Sequence, residues 1–315
     1  MIRLYFFIFV AIALLSVDVH SQTVDQETVT TYMNNAFVQY TNGDYQNALT
    51  GFLEAGKLLE NDTSNLNRKV YVCSQTMAVS CYGNMKLYDE AFKLSERLLK
   101  GVLTDQERAD LQHLYVTNGY FVAGSYMNQT IQRYSDSREL LKKILPFADD
   151  VMQRKILSKI PLTWYFEGGQ YQIRQQYDLA LPCMLEAKKG FHEINDTIHE
   201  INTCSKIGSI LELGYDILGA LESYGDAYHL AKKARNDKKL MEILSELLKL
   251  TNLIGDSERA YRYDMEMDSI VSMTNDINAK VEYNFHRGDQ AYRNGAFDAA
   301  IQYYKMNERY LQSLD

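Results

Sequence analysis

The sequence predicts an all-α solenoid of about seven helical hairpins, and three observations carry that expectation. Small residues recur at Ala48, Ala91, Ser137, Ala180, Ala220, Ala260 and Ala300, at intervals of 43, 46, 43, 40, 40 and 40 residues. A self-similar period of this size marks a repeat architecture in which each unit buries its apolar face against the next. Each small residue has companions at steps of three and four, the spacing of one helix face. Twelve residues before it lies a second, mostly small position: Ala36, Val79, Ser125, Gly168, Gly208, Leu248 and Gly288. Small residues on two consecutive helices let their backbones approach closely, so each period reads as helix A followed by helix B.

The chain opens on Met1-Ile2-Arg3 and an unbroken apolar run from Leu4 to Leu15, with Ser21 offering a small residue for cleavage before Gln22. This predicts a secretory signal peptide over residues 1–21 and a repeat domain over 22–315. As a helix the run spans only ~18 Å against ~30 Å of hydrocarbon, too short for an anchor. In the repeats that follow, an aromatic stands three residues before the rung in five cases, namely Tyr45, Tyr88, Tyr134, Tyr177 and Phe297. A larger side chain comes four residues after it at Phe52, Leu141, Met184, Tyr224 and Tyr304. Pro146 and Pro161 read as the stop and start of helices between repeats three and four, and Pro182 as a kink in the following helix B. The sixth repeat departs most, with Leu248 for the small residue and Asp264 for the larger one.

This pattern resembles the tetratricopeptide repeat (TPR), whose helix A reads W-x2-L-G-x2-Y and whose helix B carries small, aromatic and small residues. Trp164, Gly168 and Tyr171 fall at the family spacing and are followed by Tyr177, Ala180 and Ala187, with Glu167 in place of the usual leucine. The turns Gly43-Asp44-Tyr45 and Gly295-Ala296-Phe297 are similar to the family's turn before helix B. The resemblance covers about residues 29–315 and implies a right-handed superhelical solenoid of about seven TPR-like repeats. A 40-residue spacing against the family's ~34 implies longer helices or longer turns.

Composition narrows the function. Lys plus Arg number 33 against 41 Asp plus Glu, and the net charge of −8 disfavours nucleic acid. Cys73 and Cys81 are too far apart along one helix to bond, whereas Cys183 and Cys204 fall on helices that can meet; a disulfide there stays open beside free thiols. His192 and His199 lack the spacing that places two imidazoles on one helical face, and Asn195-Asp196 predicts a solvated loop around them. No nucleophile elbow, phosphate loop or C-x-x-C is present, so no catalytic residue, metal or cofactor is expected. Asn61, Asn128 and Asn195 form Asn-x-Thr sequences at a frequency chance supplies.

The resemblance implies that helix A residues line a concave groove. Mapped onto this chain, the groove comprises Met33, Phe37 and Tyr40, then Ser80 and Asn84, then Tyr126 and Gln129, then Tyr165 and Gln172, then Glu212, Asn252, Phe285, Tyr292 and Arg293. Small and amide side chains leave room for a peptide backbone and can hydrogen-bond it. The expectation is a non-enzymatic, exported scaffold, periplasmic or secreted, that binds a peptide or protein. The alternative is an extracytoplasmic sensory region of a bacterial receptor whose membrane and output parts follow residue 315. Apolar side chains on the last helix, Tyr303, Met306, Tyr310 and Leu311, also raise the expectation of a cover there, such as a homodimer contact or further chain.

Overall fold

The computed structural model describes residues 25–62, 64–128, 132–273, 277–293 and 295–312. The expected signal peptide and Gln129 lie outside them. Among the described residues the chain is an all-α repeat solenoid of fourteen α-helices with no strand. The helices are α1 (Gln26–Thr41), α2 (Tyr45–Leu59), α3 (Asn65–Asn84), α4 (Tyr88–Leu99), α5 (Asp105–Asn128), α6 (Tyr134–Ile144), α7 (Asp150–Ile173), α8 (Tyr177–Glu193), α9 (Thr197–Leu213), α10 (Ile217–Lys233), α11 (Asp237–Leu253), α12 (Ser257–Met273), α13 (Ile277–Arg293) and α14 (Phe297–Gln312). Odd-numbered helices are the A helices of seven hairpins and even-numbered ones the B helices. No helix among these residues is long and apolar enough to cross a membrane.

The chain divides into two compact units, residues 1–157 and 158–315. The division falls inside α7, at the carbonyl of Leu157, which Pro161 cannot serve because it has no N–H to give. Pro161 therefore sits inside α7 instead of opening a helix, and its ring packs where a Cβ on Gly190 of α8 would come within 2.8 Å. The helix start expected at Pro161 is made by Asp149, whose side chain accepts from the Met152 amide at 2.8 Å. Pro182 lies inside α8, which continues past it to Glu193.

In the first unit the core runs through Met33, Ala36, Ala48, Phe52, Val79, Cys81, Ala91 and Leu98. All four cysteines are buried thiols, so the possible Cys183–Cys204 bridge is not formed. Burial pushes the thiols of Cys73 and Cys81 up to about 12. The third repeat needs a correction of register. The fully buried small residue on α5 is Ala123, whose carbonyl accepts from buried Ser137 Oγ at 2.8 Å, while Ser125 is only half-buried. The cause is the connection between α5 and α6, five residues instead of three, which moves the partner of Ser137 two places back.

In the second unit the core runs through Ala180, Met184, Ile207 and Ile210 and on through Ala220, Tyr224, Leu244, Leu247 and Met267. The 40-residue period comes from longer helices: α8 to α13 have 17 residues each and are joined by three residues. Four of the turns share one chemistry. Around Tyr215, the Asp216 amide donates to Leu211 O at 2.8 Å and the Tyr215 amide to Glu212 O at 2.9 Å. Tyr215 takes φ 64°, and the Asp216 side chain accepts from the Gly219 amide at 2.9 Å. This is a Schellman ending fused to an N-cap. It recurs at Asn195-Asp196, Arg235-Asn236 and Gly255-Asp256. His192 and His199 consequently belong to α8 and α9, not to a loop: His192 Nδ1 lies 3.0 Å from Glu200 and His199 Nδ1 2.7 Å from Asp196.

The glycines of helix A seat the larger side chains of helix B. A Cβ on Gly208 would stand 2.8 Å from the Tyr224 ring, and one on Gly288 2.6 Å from that of Tyr304. Repeat six inverts this arrangement. Leu248 supplies bulk on helix A, and Asp264, at the position of the tyrosine, accepts two contacts of 2.8 Å from Arg287 Nη1 of the next helix A. Burial raises the carboxyl of Asp264 above its ordinary range, with Arg287 acting in the opposite direction.

Candidate functional site

The candidate face is built from the A helices, and each unit carries its own part. In the first unit, Tyr40 near the end of α1 and Asn84 at the end of α3 meet because two consecutive A helices end at the same level. Asn84 Nδ2 donates to Tyr40 Oη at 3.1 Å and to Ser80 O at 2.9 Å. Burial raises the Tyr40 phenol above its ordinary value, and the bond from Asn84 opposes that. The Tyr40 ring also sits edge-on to Tyr45 at 5.3 Å across the turn. Tyr126 on α5 lies under the Arg133 guanidinium at 4.3 Å.

Two residues expected in the groove are core residues. Met33 is 2% exposed and Ser80 is buried, with its hydroxyl turned back on Thr76 O at 3.3 Å. Helix α1 must bury one side against α2, and Met33 lies on that side one turn before Ala36. Phe37 is partly buried against the same core, edge-on to Phe52 at 5.0 Å.

In the second unit the A helices are tied together by a ladder of polar contacts. Gln172 Nε2 of α7 donates to Ser209 Oγ of α9 at 3.2 Å, Lys249 of α11 pairs with Glu212 of α9 at 2.9 Å, and Ser245 of α11 meets His286 of α13 at 3.1 Å. Tyr165 is half-buried at the start of the ladder, edge-on to Phe166 at 5.7 Å and to Phe191 at 6.4 Å, and burial raises its phenol. Beside it Gly169 is open: a Cβ there would meet no atom within 4 Å. Asn252 is exposed, as are Phe285, which tilts against Tyr304, and Tyr292, edge-on to Phe297; Arg293 pairs with Asp289 at 2.5 Å.

His286 was not among the expected residues, although its 41-residue offset from Ser245 places it one period on. A second ladder, on the B helices, was also missed. Lys188 pairs with Asp226 at 2.7 Å, and Glu266 receives both Tyr228 Oη at 2.7 Å and Lys232 at 2.9 Å. Among the described residues no group of three or more His, Cys, Asp or Glu side chains is placed to hold a metal ion.

The hairpins, their small-residue seats and their stacking define the class of this protein, a TPR-like α-solenoid. No family model matches the chain. The clustered mitochondria protein homolog of Debaryomyces hansenii is 24% identical over an alignment covering 67% of this chain, which spans 17% of that relative's length. Solved structures similar to it include the apo form of RapI, 14% identical, covering 91% of this chain and 98% of that one at a TM-score of 0.34. Aspartyl phosphate phosphatase F from Bacillus subtilis is 13% identical, with 94% and 78% covered and a TM-score of 0.45. The C-terminal part of a TPR repeat-containing protein from Cytophaga hutchinsonii is 12% identical, with 90% and 99% covered and a TM-score of 0.40.

Proposed function

We propose that the chain is an exported, non-enzymatic scaffold that holds a peptide or protein partner along its A-helix face. The observation that carries this reading is the second unit's ladder, where short hydroxyl, amide and paired charged side chains run from one A helix to the next beside the open site at Gly169. Such a surface offers hydrogen bonds to an extended chain, and half-buried Tyr165 supplies the kind of aromatic contact that often dominates interface energy. Export rests on the apolar run of residues 4–15.

Two experiments test the reading. Intact mass of the protein from its own host should show a chain beginning at Gln22; a species retaining residues 1–21 would remove the export part. A photoreactive side chain at Gly169 should crosslink a partner. Affinity for that purified partner should then fall about fivefold or more with Tyr165→Ala, by ~1 kcal/mol or more, while circular dichroism stays helical. Unchanged affinity in the folded variant would take the partner off this face.

A further inference from the structure

We propose that the A-to-B turns of the second unit form a separate docking surface, an apolar edge that receives a basic amphipathic helix of a partner protein. Helices that alternate in direction through short turns put all A-to-B turns at one end of the unit. The A-helix ladder brings neighbouring turns side by side, since Gln172–Ser209 and Glu212–Lys249 join the last turns of successive A helices. At the tip of those helices stand Ile173, Leu213 and Leu253, forty residues apart and 75%, 48% and 68% exposed. In repeat five Tyr215 and Leu218 extend the edge and are also largely exposed.

The turns do not need these side chains. A Schellman ending uses an apolar contact between C3 and C″, which here are Leu211 and Asp216, and leaves Leu213 outside the motif. Nor is apolarity common to all turns of this unit. The opposite edge carries Asn195, Lys233, Arg235 and Lys238, all exposed, and its exposed apolar residues, Ile198 and Met273, stand at unlike positions, one in the first turn of an A helix and the other closing a B helix. A row of large apolar groups recurring at the same position of successive turns is the mark of an interaction surface.

Charge and spacing select the occupant. No lysine occurs in residues 170–180, 210–220, 250–260 or 290–300, and Asp178, Asp216 and Asp298 stand exposed beside the tips. The three arginines in those stretches are outnumbered by six acids; Arg259 and Arg293 are paired to Asp256 and Asp289 at 2.5 Å, and Arg174 is exposed beside Ile173. The edge is therefore apolar with an acidic border, complementary to leucines bordered by lysine or arginine. Packed helices lie about 8–10 Å apart, and seven residues of an α-helix rise about 10.5 Å. A helix laid across the tips thus brings one apolar residue per heptad over each. Acids at the level of the tips oppose an anionic lipid surface.

The test uses the full chain and a synthetic helical peptide with leucine at heptad spacing among lysines. The same peptide with glutamate for lysine, and phosphatidylcholine vesicles, serve as comparison arms. Fluorescence anisotropy should show binding of the lysine peptide, weakened about tenfold by Leu213→Ser with Leu253→Ser and severalfold by Asp178→Asn with Asp298→Asn, and unaffected by Tyr165→Ala. Equal binding of the glutamate peptide, no loss on the leucine changes, or absence of binding overturns the proposal. Vesicle binding that exceeds peptide binding reassigns the edge to lipid. Because the Tyr165 arm reads the A-helix face separately, failure at this edge leaves the proposed function standing.

Discussion

In the second unit every connection between helices from α7 onward spans three residues, whereas in the first unit connections of three and five residues are mixed and helices range from 11 to 24 residues. The difference follows from turn chemistry. A left-handed residue followed by Asp or Asn ends one helix and caps the next in the shortest space available, and where the motif repeats the period holds at 40. In the first unit the B-to-A connections span five residues and α3 and α5 run to 20 and 24 residues, and the period drifts to 43 and 46; α4 and α6 also begin at Leu87 and Arg133 without a side-chain cap bond, as α8 does at Gln176. Helix and connection lengths thus set the interval at which rungs recur, and core packing then selects which small residue serves each rung.

The largest effect that would break this comparison lies in the regular unit. Tyr224→Ala empties the seat against Gly208 and should cost about 3–5 kcal/mol. Adding Gly208→Leu should return part of it, because repeat six already places its bulk on helix A at Leu248. A double-mutant cycle by urea unfolding measures the coupling; additive losses would show that the two repeats are not size-swapped versions of one another.

Arg287→Leu strands Asp264 and should cost about 2–3 kcal/mol at neutral pH, below the full cost of breaking a fully buried pair because both groups keep some solvent. The sign with pH is set by the carboxyl. Burial already raises its folded value, and losing the cation raises it further. The deficit should therefore be largest above the raised value and shrink as pH falls below the ordinary carboxyl range, where Asp264 is protonated in both states. Thermal unfolding at neutral and acidic pH reads this directly, and a pH-independent deficit would place the loss in packing.

The irregular unit is tested through its register. Ala123→Leu should overpack α5 against α6 at about 1–3 kcal/mol, whereas Ser125→Leu, at a half-buried position, should change little. The reverse order would restore a three-residue turn and a rung at Ser125. The smallest effect is a gain: Leu87→Asp adds the missing cap before α4 and should stabilise the first unit by about 1 kcal/mol. No change in its unfolding midpoint would mean that caps do not distinguish the two units.

By itself the sequence determined the class of fold, the number of hairpins and the seven rungs, all of which are buried. Those features repeat: a small residue every 40 to 46 positions and companions at steps of three and four are visible along the chain because a helix exposes its periodicity in one dimension. The candidate face was legible only as a set of positions. Tyr40, Asn84, Gln172 and Glu212 take part in contacts between A helices, but Met33 and Ser80 belong to the core. Which side of an A helix is buried depends on the angle at which its neighbours pack, and no spacing within one helix states that angle. Tertiary structure alone decided the two-residue shift at Ala123, the pairing of Asp264 with an arginine from the next repeat, and the apolar edge. Each joins residues about 14 to 40 positions apart, and side-chain volume and charge are balanced across such pairs in space, where the one-dimensional repeat does not record them.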